Sequence, residues 1–180
     1  MTQRTEKDFW IEMSIREIWT QCHFAELAFN NLALKAQANS DVVFSSIHSF
    51  LSHCAIVSKL LKAEAESVSI GAVVGVSASS VIHNRTFRNH LEHYDERLKQ
   101  WIRQKGVNAM IGTYNIGPKS AYNIPNMVFV SHYDPTDTKF TFVDEDLDLR
   151  ELYQEIQTVT ATVNTWVQEV ESEARKPPFA

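Results

Sequence analysis

The chain has 180 residues, a formal net charge of −5 at pH 7, 44% hydrophobic and 22% charged residues. That length suits one domain with a core of its own, 1–180, and the composition sits inside the globular range, favouring neither a disordered chain nor a membrane span. The acidic balance excludes a global basic field for long nucleic acid and leaves a local basic cleft as the route to a short RNA segment.

Five Gly and five Pro are too few for a sandwich of many tight turns, so the expected fold class is all-α. Residues 1–8 lack the apolar core of a secretory signal, and no run approaches the roughly 18 apolar residues of a spanning helix. Cys22 and Cys54 form no Cys-x-x-Cys pattern and read as reduced core thiols, so a cytoplasmic protein without membrane contact is expected.

From about Glu6 to Ala38 there is no Gly or Pro, and Ile11, Ile18, Cys22, Ala25, Phe29 and Leu32 recur at three- and four-residue steps, which predicts one long helix. Trp10, Met13, Phe24 and Leu27 fall on its other sides, so the helix should be central in a bundle or contribute to a subunit interface. Asn39-Ser40-Asp41 offers capping side chains to a second helix ending near Ala63. The small and β-branched residues between 64 and 79, with Gly71 and Gly75, predict a loop or short extended connection to which no function is assigned.

A third helix is expected from Ser79 or Ser80 to about Gln104, packing Phe87, Leu91, Tyr94, Leu98, Trp101 and Ile102 inward, with Gly106 as its stop. Val107–Pro125 reads as loop. Met127–Val130 and Lys139–Val143 flank Asp134-Pro135-Thr136-Asp137 and predict a β-hairpin insert at about 126–143. The acidic run 144–148 suits the N-terminus of a last helix, about Leu149 to Ala174. The expected architecture is therefore a bundle of four main helices with a small hairpin before the last.

The densest chemistry lies on the third predicted helix, which carries His83, His90 and His93 with Arg85, Arg88 and Arg97. At ~100° per residue, Arg88 and His93 are about 140° apart, so a joint role needs the reach of the arginine, a distorted turn or a second subunit. The string Arg88-Asn89-His90-Leu91-Glu92-His93 resembles the Arg-polar-x-x-x-His signature of the HEPN superfamily, helical domains common in prokaryotic toxins, defence systems and RNA-processing enzymes. The longer string Phe87–Arg97, followed by a hairpin and a C-terminal helix, is similar to an uncharacterised bacterial branch of it.

The resemblance implies a homodimer whose two motifs face a shared cleft, and RNA cleavage without metal or other cofactor. In that scheme the 2′-hydroxyl attacks the adjacent phosphate and leaves a 2′,3′-cyclic phosphate. Arg88, Asn89 and His93 are the implied catalytic residues, RNA the implied partner, and an antitoxin a further one if the protein is a toxin. The chemistry suits them: a histidine titrates near roughly 6.5 and can serve as base or acid, while arginine stays charged and holds phosphate. Asn89 could orient the histidine or the phosphate, and His90, Arg85 and Arg97 are candidate binding side chains.

Blander readings compete. Arg88 and Glu92 could form an ordinary exposed ion pair, and His83 could be a satisfied histidine at the core edge. A non-catalytic HEPN-like module for dimerisation or for binding RNA or nucleotides is the second functional reading. A metal-binding bundle using His23, His53, His90 and His93 is the third, without the Glu-x-x-His pairing such sites use. Walker-type, dinucleotide and nucleophile-elbow motifs are absent from the sequence.

Overall fold

The protein is described here from a computed structural model, covering residues 5–35, 39–84, 86, 92–106, 109–143 and 145–174. Helix α1 (Glu6–Lys35) opens on a reciprocal cap: the Asp8 amide donates to Thr5 Oγ1, and the Asp8 carboxylate accepts from the Thr5 amide. Its three- and four-residue spacing buries Ile15, Ile18, Cys22, Ala25 and Leu32 along one side. Helix α2 (Ser40–Lys62) starts where Asn39 Oδ1 accepts the Asp41 amide at 2.8 Å, and it runs back along α1. Lys7 reaches Glu66 at 2.8 Å at one end of this pair, and Gln21 meets His53 at 2.7 Å midway.

The last helix, α5 (Leu149–Ala174), is capped by Asp148, whose Oδ1 accepts the amides of Arg150 and Glu151. Leu149, Leu152, Ile156, Val159 and Val163 close the helical core, and Phe29 stacks on Tyr153 with ring centroids 4.0 Å apart. None of the helices among the described residues is long and apolar enough to cross a membrane.

The all-α expectation is overturned: among the described residues, eight short strands form three sheets beside five α-helices. β1 (Glu64–Ala65) and β2 (Val68–Ser69) make a minimal hairpin, turned by Glu66 and Ser67 with φ of 50° and 73°. Helix α3 (Ile70–Val74) follows, capped by Ser69 and stopped by Gly75 in the left-handed region. β3 (Met110–Gly112) and β5 (Met127–Phe129) pair in parallel. The main sheet runs β4 (Asn115–Ile116), β6 (Ser131–Asp134), β7 (Lys139–Phe142), β8 (Glu145–Asp148), with only β4 and β6 parallel. One face of this sheet presents Tyr133, Phe140 and Phe142 to the same core that the helices fill.

The predicted hairpin is thus corrected in register. Its turn falls where Asp134 and Pro135 put it, but the strand opposite β7 is β6, and Met127–Phe129 pairs instead with Met110–Gly112. The acidic run is strand β8 before it becomes a helix cap, because Leu147 points to the core while Asp146 and Asp148 point away.

The single third helix is overturned as well. Residues Val81–His83 form a 3-10 turn that ends at extended Asn84, and α4 (Tyr94–Lys105) starts anew after His93. Trp101 is buried and Tyr94 packs on Phe142, whereas Ile102 is exposed; Phe87 and Leu91 lie outside the described residues. The second apolar set of α1 is likewise not buried within the chain: Trp10, Met13, Phe24 and Leu27 are all exposed.

Candidate functional site

Of the residues singled out from the sequence, Arg85, Arg88, Asn89 and His90 lie outside the described residues. His93 and Arg97 are described, and α4 positions both. The helix begins at Tyr94 because Asp95 and Glu96 complement its positive end, and it stops at Gly106, whose φ of 76° favours glycine. His93 is the capping position itself, with φ −120° and ψ 38°, and its carbonyl accepts the Arg97 amide at 3.0 Å. Its ring is held outward, 56% exposed, with Nδ1 3.7 Å from Glu96 Oε2.

His93, Glu96, Arg97 and Gln100 follow the i, i+3, i+4, i+7 rule of one helix face and line a concavity of about 390 Å³. The arrangement puts an imidazole, a guanidinium, a carboxylate and an amide in solvent reach of one ligand. Glu92, one residue earlier, approaches Lys59 of α2 at 3.5 Å, so the start of α4 is tied to the helical core. His83 is turned elsewhere, its Nδ1 3.2 Å from Ser58 Oγ, and it does not share with His93 the one helix that the sequence predicts for both.

Of the four histidines of the metal reading His90 lies outside the described residues, and His23, His53 and His93 do not gather. His23 packs on Trp19, and His53 is taken up by Gln21 and Phe24. Among the described residues no three His, Cys, Asp or Glu side chains could hold a metal ion together.

The sheet carries a second polar cluster that sequence reasoning missed. Strand register places Asn115, His132, Thr141 and Asp146 in one row across β4, β6, β7 and β8, on the face opposite Tyr133 and Phe140. Asp146 Oδ1 accepts from Thr141 Oγ1 at 2.6 Å and from Lys119 Nζ at 2.9 Å. Burial pushes the Asp146 carboxyl up, but those two donors outweigh it and hold the group below its ordinary range.

His132 is wholly buried, boxed by Phe129 at 4.5 Å and Tyr122 at 5.7 Å between ring centroids. Neither of its ring nitrogens nor the buried Asn115 Oδ1 has a hydrogen-bond partner. Burial lowers the His132 pKa below 6.5, with Lys119 adding to the effect and Asp134, Asp146 and the Gly117 backbone opposing it. The sequence signal was the alternation Ser-His-Tyr-Asp in β6, but which residues sit beside His132 depends on pairings that no single segment encodes.

No family model, curated protein or solved structure matches this chain.

Proposed function

We propose that the protein is a metal-independent endoribonuclease acting at Arg88, Asn89 and His93. The observation that carries the reading is the placement of His93: solvent-exposed, at the N-terminal end of α4, beside Arg97 on a polar concavity. A helix N-terminus and a guanidinium together favour a bound phosphate. His93 would take the proton from a ribose 2′-hydroxyl or give one to the departing 5′-oxygen. The P–O2′ bond forms as the P–O5′ bond breaks, leaving a 2′,3′-cyclic phosphate and a 5′-hydroxyl, and Arg88 offsets the charge that develops on the phosphate. Asn89 and His90 precede His93 by four and three residues, and Arg85 and Arg97 add cationic contacts for the RNA backbone.

The test is a chelator-treated cleavage assay on single-stranded and loop RNA, comparing the parent with His93→Ala and Arg88→Ala and identifying product 3′ ends. Cyclic-phosphate products that vanish in both variants are expected. No cleavage by folded parent protein, or full activity in His93→Ala, overturns the reading; retained RNA binding without cleavage would point to the non-catalytic module.

A further inference from the structure

Helix α1 carries two apolar stripes, and the chain uses one. On the other side Trp10, Met13, Phe24 and Leu27 are exposed, Leu27 to 60%, with Phe9 at their edge, and of these Phe24 also touches the His53 ring. The first four fall on a strict three-four seam, 10, 13, 17, 20, 24, 27, 31, completed by Glu17, Thr20 and Asn31. The seam is a palindrome: two apolar positions, two polar, two apolar, symmetric about the midpoint between Ile18 and Trp19.

A palindromic seam is self-complementary only when the second helix runs the other way. We propose that α1 pairs antiparallel with α1 of a second copy about a two-fold axis at that midpoint. Trp10 then meets Leu27 of the second copy, Met13 meets Phe24, and Glu17 meets Thr20. A parallel pairing would set Glu17 against its own copy and lose free energy to like-charge contact, whereas the antiparallel one places each carboxylate beside a hydroxyl and opposes the helix dipoles.

The area suffices. Partly exposed side chains of this size leave about 100 Å² each open to water, so five from each copy bring the buried total to roughly 1,000 Å², where specific interfaces begin. On one copy the exposed apolar area is about 500 Å², toward the upper end of what a monomer ordinarily presents. The seam lies on a different flank of α2 from the candidate site: His53 faces α1, while Ser58 and Lys59 meet His83 and Glu92. The pairing therefore stands apart from the cleavage reading, and either can fail alone.

Sedimentation equilibrium of the full chain should show a dimer, and Leu27→Glu and Phe24→Glu should each yield a monomer with unchanged helical circular dichroism. Both positions are exposed, so loss of the fold is not the expected effect. Register is read by oxidising Glu17→Cys and Thr20→Cys variants: disulfide-linked dimer should form on mixing the two and not from either alone. Cys22 and Cys54 are buried and do not compete. A monomeric parent, a dimer that survives both glutamates, or self-linking of Glu17→Cys alone would overturn the proposal.

Discussion

His132 is a fully buried imidazole whose nitrogens make no hydrogen bond of good geometry, the Gly117 backbone acting on the ring only weakly, so replacing it should stabilise the fold and flatten its response to acid. In His132→Leu two unsatisfied polar atoms, each costing about 1–3 kcal/mol when buried, are exchanged for an aliphatic group of similar volume. Lost ring contacts with Phe129 and Tyr122, about 0.5–1.5 kcal/mol each, offset about half of that, leaving a net gain on the order of 2 kcal/mol. The sign of the pH effect follows from the lowered pKa. Above 6.5 the residue is neutral in both states and contributes no slope; as pH falls below 6.5 the unfolded chain binds a proton that the folded chain resists, so stability drops down to the folded-state pKa. The loss is at most about 1.4 kcal/mol per pH unit. His48 and His53, also lowered by burial, add to the same window in both proteins, so the difference between parent and variant isolates His132. Urea unfolding at pH 8, 6.5 and 5 measures it through the midpoints at constant m. A variant no more stable at pH 8, and losing as much stability by pH 5 as the parent, would refute the reasoning.

A β-carbon on Gly112 would sit 2.5 Å from Asn115 Oδ1 and 2.6 Å from Met127 Cε, so Gly112→Ala should cost about 1–3 kcal/mol by overpacking, visible as a lower urea midpoint. Cys22, its thiol pushed up to about 12 chiefly by burial, and Cys54, raised well above its ordinary value by burial, should resist thiol reagents in the native state and react only on unfolding. Ile156→Ala, in the wholly buried row of α5, should lose about 2–5 kcal/mol, whereas Lys119→Ala breaks an exposed ion pair and should lose under about 1 kcal/mol; comparable losses would contradict this division of the fold.

The long helices were legible because each carries its own evidence. Thirty residues without Gly or Pro, a capping asparagine at 39 and a start at Leu149 after Asp148 are local facts, and the helices α1, α2 and α5 follow from them. The sheets were not legible for the complementary reason. Strands of two to four residues show too little alternation to announce themselves, and β3 with β5 or β4 with β6 are parallel pairs whose partners are 17 residues apart. Met127–Phe129 reads as well in a hairpin as in a parallel pair, and its partner, Met110–Gly112, lies beyond the reach of any local pattern.

The same distinction bears on the candidate site. A helical wheel spanning residues 80 to 104 assumes one axis, and Asn84 and His93 both leave helical geometry, so angles reckoned on that wheel do not carry across them. His93 caps α4 rather than lying along it, and its exposed ring stands with Nδ1 3.7 Å from Glu96 Oε2, over the first turn of the helix it opens. Sequence periodicity passed over that break because Phe87, Leu91, Tyr94, Leu98 and Trp101 keep an unbroken apolar rhythm across it: the rhythm records which residues are apolar, and the backbone at His93 decides where the helix restarts.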